Sequence, residues 1–291
     1  LLPGRSVISA NNFYEKNRGV FFDLILLSKF IGLSIFIKNF KEESDNYEIL
    51  GVKFKNTTYP LVEKVIEKYV AIGESKTVFF INAHCLNIAH ENQEYKKVLP
   101  FADLVLPDGM GVLMACRMMG KRLRENINGT DLFPRLLKLG ELKNYKVYFL
   151  GGTKEVNSKL IEFVENNYVG LNVVGGHHGH FNKDSLSNEI IAEINNLEVD
   201  LLFVAFGVPI QELWIESYKK DINAKVILGV GGLFDFYSGK NKRSPAWLRE
   251  LGLEWIYRIY QEPKRMWKRY VIGNPKFLYR VYKKNKGSCI K

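Results

Sequence analysis

The stretch "YKVYFLGGTKEVNSKLIEFVENNY", residues 145–168, decides the architecture. It opens with a short apolar run around Val147, Phe149 and Leu150 and reaches a glycine pair, Gly151-Gly152. Apolar residues then recur at helical spacing in Leu160, Ile161 and Val164, which predicts a strand, a tight turn and an amphipathic helix. The same alternation extends in both directions. Upstream, "ILGVKF" (49–54) reads as a first strand, "YPLVEKVIEKYVAIG" (59–73) as a helix closed by Gly73, "KTVFFINAH" (76–84) as a buried strand, and Phe101 to Leu106 as another. Downstream come "LNVVGG", a helix through "SNEIIAEINN", "DLLFVAFG", a helix through "QELWIESYKK", and "AKVILGVGG". Strands that are apolar throughout, separated by helices, predict an α/β fold: a mostly parallel sheet with helices on both faces and its chemistry at the carboxyl ends of the strands.

Composition sets the outer limits. A chain of 291 residues, 46% hydrophobic and 25% charged, can bury a large core. Its three cysteines, Cys85, Cys116 and Cys289, are far apart and form no C-x-x-C pair, so neither a disulfide framework nor a zinc ribbon is expected, and a reducing compartment is. The most apolar run, residues 20–37, is interrupted by Asp23 and Lys29 and reads as an interfacial or packed helix rather than a membrane span. The polar run "KEESDN" ends an amphipathic extension over residues 1–46.

Charge divides the remainder. Residues 240–291 hold 15 Lys+Arg against three Glu, a net of +12, so the rest of the chain carries 27 basic and 28 acidic residues, a net of −1. Trp247, Trp255, Tyr257, Tyr260, Trp267, Tyr270, Phe277, Tyr279 and Tyr282 are interleaved with those cations. The mixture suits an anionic membrane surface, with aromatic rings at the interface and cations on headgroups. It also suits single-stranded nucleic acid, or a packed helix with a solvated charged face. The expected organisation is therefore an extension (1–46), a compact α/β domain (47–239) and a basic helical C-terminal appendage (240–291).

Candidate site residues fall at the strand exits: Asn82 and His84 after "FFI", Asp108 after "LVLP", Gly151, Gly152 and Thr153 after "VYFL", Gln211 after "FVAFGVPI", and Gly229, Gly231 and Gly232 after "KVIL". A strand-Gly-Gly-Thr-helix turn offers backbone N–H groups and a positive helix end to a phosphate. Asp108, between proline and glycine before the apolar helix "MGVLMACRMM", is either a reactive carboxylate or an N-cap. "GVGGLF" lacks the dinucleotide-binding spacing, and neither a G-x-x-x-x-G-K-[ST] loop nor a D-x-D pair occurs, so no cofactor is expected. The histidines of "HHGH" (His177, His178, His180) sit too close together in a glycine-rich loop to enclose one ion, and no metal is expected.

The segments "NAHCLNIAH", "ADLVLPDGMGVLMACRMMGKRL", "NGTDL", "FLGGTKE", "VAFGVPIQELWI" and "GVGGLFDFYSGKNKRSPAWLRELGLEWIYRIYQEPKRMWKRY" resemble, in order and spacing, the WecG/TagA/CpsF family of glycosyltransferases from about Tyr47 to Tyr282. The resemblance implies a Rossmann-like domain whose C-terminal appendage completes the site and touches the membrane. It also implies an inverting, metal-independent transfer of an N-acetylmannosamine-type sugar from a UDP-sugar donor to a polyprenyl-diphosphate-linked N-acetylglucosamine, at the cytoplasmic face of the cell membrane. By residue, it implies Asp108 as general base and Gln211 near the diphosphate. Asn82, Asn128, Thr130 and Asp131 match the family pattern and, with His84 at the strand exit, are expected to bind substrate; from the residues of "GLFDFYSGKNKRSP" and the glycine turn before it, Gly231, Gly232, Phe234 and Asp235 are expected to hold the nucleotide, and Arg243 with later arginines to close over the diphosphate. Two positions depart from the family pattern: Phe80 stands where a threonine is usual, and Asn126 where a basic residue is usual, leaving Arg122 or Arg124 to supply that charge. Two other readings stay open, an inactive or altered nucleotide-sugar-binding homologue and a basic RNA-binding protein. The family reading carries no nucleic-acid partner and admits a homo-oligomer.

Overall fold

Tyr47, Ile49, Val52 and Phe54 are buried while Glu48 and Lys53 between them are exposed, and this alternation builds a β-hairpin. The computed structural model describes residues 44–245, 248 and 252–288. In it, β1 (Asn46–Ile49) pairs antiparallel with β2 (Val52–Lys55). The single strand expected over "ILGVKF" is thus a turn and a second strand. Leu50 and Gly51 both adopt positive φ, 53° and 89°, the geometry of a two-residue hairpin turn. Of the extension expected over residues 1–46, residues 1–43 lie outside the described residues and Asn46 already belongs to the hairpin.

After α1 (Tyr59–Ile72) the chain enters a sheet of six strands. These are β3 (Lys76–Ile81), β4 (Leu104–Pro107), β5 (Lys146–Gly151), β6 (Asn172–His177), β7 (Leu201–Ala205) and β8 (Val226–Gly229), all parallel, in the order β4-β3-β8-β7-β5-β6. The connecting helices are α2 (Ala83–Glu91), α3 (Gln93–Val98), α4 (Met110–Met118), α5 (Gly129–Lys143), α6 (Lys154–Asn167), α7 (Lys183–Asn196) and α8 (Ile210–Tyr218). The strand expected from Phe101 begins instead at Leu104, because Leu99–Phe101, with Pro100 inside, forms a 3-10 turn.

Both faces of the sheet are buried, which is why its strands are apolar throughout. Phe79, Ile81, Tyr148, Leu150, Leu202, Val204 and Ile227 pack on one face, and their neighbours Val78, Phe80, Val147, Phe149, Leu201, Phe203 and Leu228 on the other. From β3 the chain moves outward to β4, whereas β8 reaches β3 from the opposite side. Connections diverge at that point, and a crevice opens at the carboxyl ends of β3 and β8.

Beyond a 3-10 turn (Gly231–Leu233) and the short α9 (Phe234–Tyr237), the appendage forms α10 (Glu254–Gln261), α11 (Pro263–Met266), a π-helical turn (Trp267–Ile272) and α12 (Gly273–Ser288). Trp247 lies outside the described residues. The appendage is not a detachable module, since Phe277 and Val281 of α12 are buried in the same core as Phe79 and Leu86. Asn87 on α2 donates to the Gly273 carbonyl at 2.8 Å and accepts from Arg280 at 2.8 Å, and Glu91 at the end of α2 receives Lys276 at 2.7 Å and Arg280 at 2.6 Å. Among the described residues no helix is long and apolar enough to cross a membrane.

Candidate active site

Asp108 follows β4 on a turn held from two sides. Its own N–H donates to the Ile81 carbonyl at 2.8 Å, and the N–H of Gly109, at φ 89°, donates to Oδ1 of Asn126 at 2.5 Å. The N-cap of α4 is Gly109, with no side-chain cap bond, so the Asp108 carboxylate does not cap that helix. Its hydrogen-bond partner is Nδ2 of Asn82 at 3.4 Å. Asn82 in turn caps α2, accepting from the N–H groups of His84 and Cys85, each at 3.1 Å. Burial pushes the Asp108 carboxyl above its ordinary value, and Arg258, Asn82 and Arg269 oppose that shift.

Two cavities meet at this carboxylate. The larger, about 460 Å³, lies between the exits of β3, β7 and β8 and the appendage, and its wall includes Gln211, Gly229 to Gly232, Phe236, Arg258, Arg265, Lys268, Arg269 and Lys276. The smaller, about 190 Å³, is lined by Asn126, Asn128, Asp131, Trp255, Tyr270 and Asn274. Asn82, His84, Asp108, Thr130, Arg258 and Arg269 line both. Arg258 lies over the Phe236 ring at 4.6 Å and pairs with Glu254 at 3.2 Å. Nε of Arg269 is buried and has no hydrogen-bond partner among the described residues. Burial, with Arg269 and Arg265 nearby, lowers His84 to about 4, so its imidazole is neutral at neutral pH.

Several expected residues have other work. Gln211 is buried at the larger cavity's wall, where its Oε1 accepts from the Gly231 N–H at 2.8 Å. Asn128 caps α5, accepting from the Asp131 N–H at 2.7 Å, and the Asp131 carboxylate is paired with Arg243. Phe234 is a core residue, edge-on to Phe149 with ring centroids 5.9 Å apart, and Asp235 pairs with Lys240 at 3.0 Å. Gly151 and Gly152 serve the sheet: a Cβ on Gly151 would lie 2.5 Å from the Ala205 carbonyl oxygen, and the Gly152 N–H is donated to that oxygen. Arg124 sits at the hairpin, paired with Asp45 at 3.0 Å and donating to the Asn56 carbonyl. Where the family pattern has a charge, Asn126 instead pins the turn that carries Asp108. Phe80 packs in the core and reaches the larger cavity. His177 and His178 stack with ring centroids 4.4 Å apart, and among the described residues no three His, Cys, Asp or Glu side chains are grouped to hold a metal ion.

The sequence pattern described as "Glycosyl transferase WecG/TagA/CpsF family" matches residues 47–289. The chain is 38% identical over 201 residues to a protein of Bacillus spizizenii (strain ATCC 23059 / NRRL B-14472 / W23), covering 69% of this chain and 76% of the relative. It is 34% identical over 239 residues to one of Bacillus subtilis (strain 168), covering 82% and 91%. To one of Staphylococcus aureus (strain MRSA252) it is 31% identical over 238 residues, covering 81% and 92%. All three relatives are named N-acetylglucosaminyldiphosphoundecaprenol N-acetyl-beta-D-mannosaminyltransferase. A match of this length, centred on a strand-exit crevice with a carboxylate between two cavities, makes the chain a member of the WecG/TagA/CpsF family of glycosyl transferases.

Proposed function

We propose that this protein transfers an N-acetylmannosamine-type sugar from a UDP donor to a lipid-diphosphate-linked N-acetylglucosamine, with inversion, at a membrane surface. The names of the relatives support the sugar and the acceptor. The observation that carries the chemistry is the position of Asp108, free of helix capping and in the wall common to both cavities. In this reading the donor's diphosphate occupies the larger cavity and the acceptor sugar enters through the smaller. Asp108 takes the proton of the acceptor hydroxyl as that oxygen bonds to the anomeric carbon, and the bond from that carbon to UDP breaks on the opposite face, with the electron pair leaving on the diphosphate. Its raised pKa makes it a stronger base for this step. The charge on departing UDP is met by Arg258, Arg265, Lys268 and Arg269, with the Gly231–Leu233 turn beside them.

The test is transfer from UDP-N-acetylmannosamine to a short-chain lipid-diphosphate N-acetylglucosamine. Asp108→Asn keeps the side-chain shape and removes the base; kcat falls by about 10²–10⁴, the usual scale for losing such a group, while UDP binding by calorimetry stays intact. Transfer undiminished in that variant, or absent in the wild type, refutes the reading.

A further inference from the structure

Behind the Gly231–Leu233 turn lies a buried acid that lines neither cavity. Glu212, in the first turn of α8, is wholly inaccessible to solvent. Its Oε1 accepts from Nε2 of Gln211 at 2.9 Å, and Oε1 of Gln211 accepts from the Gly231 N–H at 2.8 Å. Oε2 of Glu212 has no hydrogen-bond partner among the described residues, nor does the buried hydroxyl of Tyr95. The titratable groups that face it are Cys85 on α2 and Tyr95 on α3. An acid so placed is costly to keep from water.

A glutamine amide can be turned end for end with little change in shape. Only one orientation gives its oxygen to the Gly231 N–H; the other sets donor against donor. At Oε1, Glu212 offers Gln211 an acceptor, and that selects the productive orientation. Gly229 is what lets the amide sit against β8, because a Cβ there would lie 3.1 Å from Nε2 of Gln211.

We infer that Glu212 is a positioning residue: by fixing the side-chain amide of Gln211 it holds the Gly231–Leu233 turn in the shape that receives the donor's diphosphate. This rests on the donor assignment made above. Its effect belongs to donor binding, since the acceptor side of Asp108 is built from other residues.

The experiment compares full-length wild type, Glu212→Leu and Glu212→Gln in steady-state transfer and in calorimetric titration with UDP. Leucine fills the space and removes the acceptor; glutamine keeps a carbonyl oxygen where Oε1 stands. The expected result is a donor KM and a UDP Kd raised about tenfold in Glu212→Leu, the scale of one oriented hydrogen bond, with acceptor KM unchanged and Glu212→Gln returned to within about twofold of wild type. Glu212→Met replaces the leucine variant should that one not fold. Unchanged donor KM and UDP Kd in the apolar variant, a loss that glutamine does not rescue, or equal losses for both substrates would overturn the inference. If the wild type transfers nothing yet the UDP titrations follow the expected order, the transfer reading fails and the positioning role stands.

Discussion

Asp108 is half-buried where two cavities meet and Glu212 is wholly buried, and the surroundings of these two acids treat them differently. Asp108 faces Arg258 and Arg269, which favour its charge, whereas Glu212 faces Cys85 and Tyr95, which supply no positive charge. Burial therefore pushes Glu212 from 4.5 up to about 7. Between those values the folded protein binds a proton that the unfolded chain releases. The neutral acid's contribution to stability is fully present below pH 4.5 and is lost as pH rises through about 7. Relative to Glu212→Gln, the wild type loses on the order of 3 kcal/mol of unfolding free energy between pH 5 and 8 in urea titrations. Parallel curves for the two proteins would contradict this. At this scale the strand-exit rule leads to Asn82, His84, Asp108 and Gln211, each of which lines a cavity. It misleads at Gly151 and Gly152, because a glycine pair that cradles a phosphate and one that clears a neighbouring carbonyl look alike in one dimension. The difference is made by Ala205, on the adjacent strand. Glu212 carried a legible signal, an acid on the inward face of an amphipathic helix beside Trp214 and Ile215, which sequence reading passed over.

Among the elements, helix α2 joins the site to the appendage. Lys276 and Arg280 hold the Glu91 carboxyl down at about 2, so this clasp is ionic at every pH where the protein works. Glu91→Lys sets like charges against one another and frees α12. Amide hydrogen exchange rises across residues 273–288, and transfer falls because Arg258 and Arg269 belong to the same appendage. Protection equal to wild type in that segment would count against the clasp, and added salt should mimic the variant in part. The helices and buried strands were legible because their apolar periodicity is local. The hairpin was legible in principle, from strict alternation about Leu50-Gly51. The docking of the appendage was not, since it pairs residues such as Asn87 and Arg280, which lie far apart along the chain.

For the whole molecule, the distribution of charge and aromatic rings points outward. Tyr260, Trp267, Ile272 and Tyr279 are more than half exposed on the appendage, among Lys264, Arg265, Lys268 and Lys276. Rings of this kind settle at a lipid interface while nearby cations meet headgroup phosphates. The protein is expected to sediment with vesicles containing anionic phospholipid and to be released as salt is raised. The double variant Trp267→Ser/Tyr279→Ser weakens that association roughly tenfold, equivalent to about 1.4 kcal/mol. Equal binding to neutral vesicles, or a stronger preference for single-stranded RNA at physiological salt, would exclude this surface as a membrane contact.

Nine residues of α2, a rod of about 13 Å, carry Asn82 at one tip and Glu91 at the other. Whatever tugs on the mooring must tilt the bracket from which Asp108 takes its hydrogen bond.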